Sequence, residues 1–142
     1  MTDSINIKEA LRYMGCGSKE PPQDILKIVK DTEKELLKCA SPKYLYRIFD
    51  IAENDDAIIA KNTTLRLEGK DIKKHLNGCN RIILMCATLS VGVDRLIKTL
   101  QVEDMVKALA ADALATALTE QVCDEAENEA QKTLENCHFT WR

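Results

Sequence analysis

The sequence predicts an α+β fold: a largely antiparallel sheet with helices packed on it, one of them long and set in the C-terminal half. Three observations lead there. The hydrophobic period is helical over residues 7–40, then switches to strict alternation across Tyr44, Tyr46 and Ile48. A continuous apolar run, "RIILMCA" at 81–87, has the length of a strand covered on both faces. Finally, residues 105–118 are alanine-rich and apolar nearly all round, which suits a helix buried on several sides.

Taken in order, Asn6 caps a short helix over 7–14, with Glu9 at the capping-box position and Gly15 as the stop. Pro21-Pro22 opens a second helix. Its Ile25, Ile28, Val29, Leu36 and Leu37 fall largely on one face, and Pro42 ends it after Ala40. The alternating stretch from Tyr44 to Phe49 is a strand. Asn54-Asp55-Asp56 makes a turn, and short strands over 57–60 and 63–67 complete a meander. A short helix covers 71–76, closed by Asn77-Gly78. The run 81–87 is the central strand. Ser90 then caps a helix through Leu100, whose first-turn Asp94 complements the helix dipole. One long helix is expected from Val102 to about Glu129, starting in the core and emerging into solvent as it turns acidic.

At 142 residues the chain is read as one domain, 1–142, with enough length for a single core. Hydrophobic content of 45%, charged content of 30% and a net charge of −3 are ordinary for a globular protein. No basic patch interleaved with aromatics points to nucleic acid. No apolar run approaches the ~20 residues of a membrane span. The opening "MTDSINIKEALRYMG" lacks the apolar core of a signal peptide, so a cytoplasmic location is expected. The six cysteines contain no C-x-x-C and no zinc spacing. They are read as reduced, buried small hydrophobes or inert thiols.

Few residues offer chemistry. No phosphate loop, nucleophile elbow or H-E-x-x-H is present. His75 sits among lysines on a surface helix, and His138 follows Cys137 on what should be opposite faces of a strand. In "ATLSVGVD", Thr88, Ser90 and Gly92 stand at the mouth of a helix, where free amides can hold an anion; equally, Ser90 can be a plain cap and Gly92 a site of close packing. Asp112 falls in the apolar part of the long helix. As a buried carboxylate it needs an arginine, backbone amides or a pocket. Glu120, two turns on, suits a pocket rim or solvent.

Three stretches together resemble a known family: "KEALRYMG", "GKDIKKHLNGCNRIILMCATLSVGVDRLI" and "DMVKALAADALATALTEQVCDE". The likeness is to the activation (reactivation) domain of vitamin B12-dependent methionine synthase, in its stand-alone bacterial form, and it covers most of residues 7–142. The resemblance implies a module that binds S-adenosylmethionine and presents its methyl group to cobalamin on a partner module, with a flavodoxin-like protein as reductant. The chemistry would be the cofactor's, and the module would supply binding and orientation without being catalytic alone.

It also implies site residues. The family's ligand motif is R-x-x-x-G-Y, and Arg142 sits where the arginine that holds the ligand carboxylate belongs. The chain therefore resembles a front portion that would continue beyond Arg142, or a natural short form. Thr116 occupies the place of a pocket glutamate on the long helix. Glu120, one turn on and on the same face, is its substitute. Asp112 belongs to the same frame. Ligand binding by residues 1–142 alone should be weak or absent, because one arginine contact contributes only about 1.5–3 kcal/mol. The alternating Phe139 and Trp141 should start a strand at an exposed edge, through which the chain forms homo-oligomers or recruits a second polypeptide. The alternative is a non-enzymatic interaction or scaffold domain that keeps the fold without binding the ligand.

Overall fold

A computed structural model describes residues 4–17, 21–54, 57–134 and 137–139. The elements run α1 (Ile7–Tyr13), α2 (Gln23–Cys39), β1 (Lys43–Glu53), β2 (Ala57–Ala60), β3 (Arg66–Glu68), α3 (Lys70–His75), β4 (Arg81–Thr88), α4 (Val91–Glu103) and α5 (Met105–Lys132). The four strands form one curled antiparallel sheet in the order β3-β2-β1-β4, so the class is α+β as expected. In the meander, Ile51 stands opposite Ala60 and Ile58 opposite Leu67. The chain divides into two compact units, Met1–Tyr44 with Ala87–Ala126 and Leu45–Cys86 with Glu127–Arg142. Among the described residues, no helix is long and apolar enough to cross a membrane.

The first unit is helical and holds the larger core. Val29 and Leu36 of α2, Val93 of α4 and Leu114, Leu118 and Val122 of α5 are buried together with Ile5, Ala10 and Leu11. Ala110, Ala113 and Ala117 on α5 keep that contact close. Asn6 caps α1 by accepting from the Glu9 amide at 3.2 Å. The reciprocal half of the capping box does not form. The Glu9 carboxylate takes the Arg12 side chain instead, and the Asn6 amide donates to Gln121 Oε1 at 2.9 Å. Gln121 also donates to the Ser4 carbonyl at 3.2 Å, and Glu33 accepts from the Ile5 amide at 3.0 Å, so α2 and α5 both hold the entry to α1. Gly92 permits the close approach of α4 to the end of α2: a Cβ there would lie 2.4 Å from the Cys39 carbonyl oxygen.

The long helix does not begin at Val102. Instead α4 continues to Glu103, and Asp104 separates it from α5. Asp104 is extended, at φ −156° and ψ 101°, and its amide closes α4 on the Leu100 carbonyl at 2.8 Å. Its carboxylate accepts from the amides of Val106 and Lys107 at 3.0 and 3.1 Å, capping α5. A capping aspartate thus overrides the helical period that runs through it. Nor is α5 buried all round. Met105, Val106 and Leu109 are exposed near its start, and Asp112 is exposed as well.

The second unit is built on the sheet. Its core is small: Ile51, Ile58 and Ile82 are buried, with Phe49, Leu67, Leu76 and Cys79 packed partly against them. Thr63 turns the chain between β2 and β3, donating to the Ala60 carbonyl at 2.9 Å and accepting from the Leu65 amide at 3.0 Å. That turn moves the start of β3 to Arg66, later than the sequence suggests. Lys73 of α3 reaches Glu53 at 3.5 Å and the Asn54 carbonyl at 3.2 Å.

β4 is not central. It ends the strand order, and its burial alternates: Ile82 is buried, whereas Leu84 and Cys86 are exposed. The apolar run looked like a doubly covered strand because only composition, not layer number, is visible in sequence. The cysteines are free, but none is fully buried; Cys86 is exposed and the other five are half-buried. Cys137, His138 and Phe139 adopt no strand, and residues 140–142, including Trp141, lie outside the described residues.

Candidate functional site

β4 delivers the chain to Thr88, and Leu89 is buried behind it. Ser90 then turns sharply, with φ 76°, a left-handed conformation unusual for a residue with a side chain. The Thr88 hydroxyl holds this turn by accepting from the Ser90 amide at 3.1 Å. The Ser90 hydroxyl makes no cap; its carbonyl accepts from the Val93 amide at 3.3 Å. Ser90 occupies the N-cap position that the sequence suggests, but no side chain caps α4; the Thr88 hydroxyl instead holds the turn before it.

This turn opens onto one face of α5. Asp112, Thr116 and Glu120 recur at four-residue spacing, so they stack along a helix. They line a single cavity of about 310 Å³ together with Thr88, Ser90 and Asp94. Leu89, Val93, Ile97 and Ala115 supply its apolar lining, and Thr119 completes it. All of these residues belong to the first unit.

The lining is rich in acceptors. Asp94, Asp112 and Glu120 are carboxylates, and among the described residues no lysine, arginine or histidine lines the cavity. The Thr116 hydroxyl donates to the Asp112 carbonyl at 2.9 Å, and the Thr119 hydroxyl donates to the Ala115 carbonyl at 2.9 Å. With those protons committed to backbone, both oxygens offer lone pairs to a ligand. Three carboxylates outweigh the roughly half positive charge of the α4 N-terminus. Their negative charge opposes the anion site that "ATLSVGVD" suggested. It favours a cation or a ligand bearing several hydroxyl or amine donors.

Three of the four expected site residues, Asp112, Thr116 and Glu120, are brought together here. No protein-family model and no curated protein matches the chain. The fourth residue, Arg142, lies outside the described residues. Asp112 enters as an exposed carboxylate at a cavity, not as the buried one the apolar run implied. Asp94 and Thr119 were missed as site residues. Asp94 had a sufficient reason in the helix dipole, and only the packing of α4 beside α5 brings it to the cavity. Among the described residues, no group of three or more His, Cys, Asp and Glu could hold a metal ion.

Proposed function

We propose that the chain is an S-adenosylmethionine-binding activation module that supports reductive remethylation of cobalamin in methionine synthase or a related corrinoid methyltransferase. The observation that carries this reading is the convergence of Asp112, Thr116 and Glu120 with the Thr88–Ser90 turn at one acceptor-rich cavity. The three stretches that resemble the activation domain stand beside it. S-adenosylmethionine carries a sulfonium, an ammonium and a ribose diol, and carboxylates complement all three. In this reading Asp112 and Glu120 hold cationic or hydroxyl groups, Thr116 accepts a hydrogen bond, and Leu89, Val93 and Ile97 take apolar parts of the ligand. The family resemblance would give the ligand carboxylate to Arg142, which lies outside the described residues. Cobalamin on a partner module would receive the methyl group, with an electron from a flavodoxin-like donor. A cytoplasmic location belongs to the same proposal.

Calorimetry with S-adenosylmethionine on residues 1–142 tests it. The expected result is saturable binding weaker than micromolar, weaker again for the neutral thioether S-adenosylhomocysteine, and lost in Asp112→Asn with Glu120→Gln. Retention of full affinity in that double variant would move the ligand elsewhere. Absent binding by residues 1–142 fits both this reading and the runner-up, a non-enzymatic interaction domain. One observation favours that second reading: Val102, Met105, Val106 and Leu109, around the α4–α5 junction, are each exposed.

A further inference from the structure

A second cavity, of about 670 Å³, lies within the second unit and shares no lining residue with the first. Its size falls in the ~300–1,000 Å³ range of small-molecule sites. Leu67, Leu76 and Cys79 serve two surfaces at once: they pack on the buried trio Ile51, Ile58 and Ile82, and they line this cavity. The cavity therefore opens directly onto the smaller core. Ile83, Met85 and Phe139 extend its apolar wall.

Several polar side chains, Asn77, Asn80 and Gln131 among them, also line the cavity, and one is distinctive. Arg81, the first residue of β4, lines the cavity. Its guanidinium donates through Nη2 to the Cys137 sulfur at 3.2 Å. Sulfur is a weak acceptor, and a guanidinium has five donors in a planar fork suited to a carboxylate. Glu127 also lines the cavity and opposes a negative ligand, while His75 and His138 can donate or accept.

We propose that this cavity binds a small amphiphile with a carboxylate head: the head on Arg81, the hydrocarbon body against Leu67, Ile83, Met85 and Phe139. The ligand would cover apolar surface that the small core leaves open, so occupancy would stabilise the second unit. This rests on different residues from the proposed function and stands or falls separately.

Calorimetry and thermal unfolding of the full chain with decanoate, decanol and decyltrimethylammonium, each below its micelle concentration, test the proposal. Decanoate should bind saturably and raise the unfolding temperature. It should bind at least about tenfold more tightly than decanol, the increment of one charge-assisted pair. Arg81→Met should abolish that preference while leaving decanol binding intact, which also shows that the variant folds. Glu127→Gln should tighten decanoate binding, a gain that unfolding cannot mimic. The proposal is overturned if decanoate does not saturate, if decyltrimethylammonium binds as tightly, or if the preference survives Arg81→Met.

Discussion

Thr32 is the one buried polar side chain among the described residues whose oxygen has no hydrogen-bond partner, and it is only 1% exposed. A buried, unsatisfied hydroxyl costs about 1–3 kcal/mol, whereas an apolar group of the same shape does not. Thr32→Val should therefore leave stability unchanged or raise it by about 1 kcal/mol, read as a shift of the urea midpoint at constant slope. Burial also acts on Cys39, whose thiol is pushed above its ordinary value. The folded state thus holds the thiol proton more tightly than the unfolded chain. Any stability tied to it is present below the unfolded value and is lost as pH rises towards the folded one. Alkylation with iodoacetamide should accordingly reach exposed Cys86 well before Cys39, as peptide mass spectrometry would report. At this scale the candidate site was partly legible. The spacing of Asp112, Thr116 and Glu120 is a helical signature, but nothing in sequence says that Thr88, rather than Ser90, folds back on the turn.

Between elements, a glycine of α4 sits close against backbone at the end of α2. A Cβ on Gly92 would sit 2.4 Å from the Cys39 carbonyl oxygen, and backbone cannot swing aside as a flexible side chain would. Gly92→Ala should destabilise the first unit by about 1–3 kcal/mol despite alanine's better helix propensity. Equilibrium denaturation checks it, and a gain in stability would mean that α4 is free to shift. Most elements were readable because each carries its own local signal, as the Asn6 cap and the alternation around Tyr46 do. Position within the sheet was not readable. "RIILMCA" is as apolar as an interior strand, yet β4 stands at the end of the strand order, with Leu84 and Cys86 exposed. Local composition cannot report how many layers will cover a strand.

For the whole molecule, the two units differ in what holds them. The first has a continuous core contributed by four helices, whereas the second rests on Ile51, Ile58 and Ile82. Opening free energies follow buried apolar contact, so amides of β2, β3 and α3 should exchange with solvent through cheaper openings than those of α2 or residues 105–126. Hydrogen exchange followed by mass spectrometry should separate the two sets, and uniform protection would show a single cooperative unit.

Asp104 bears on the same scale. It lies between two helical sequences with nothing else to part them: no proline and no glycine stands from Val93 to Lys132. Without its carboxylate, α4 and α5 can fuse into one rod, and α4 is then carried away from the Cys39 of its own chain to the Cys39 of another. Loss of this one side chain is therefore expected to favour a polypeptide that trades a helix with its twin over one that closes upon itself. Asp104→Leu should raise the dimer fraction above that of the parent in light scattering, with Gly92 of one copy seated on the second.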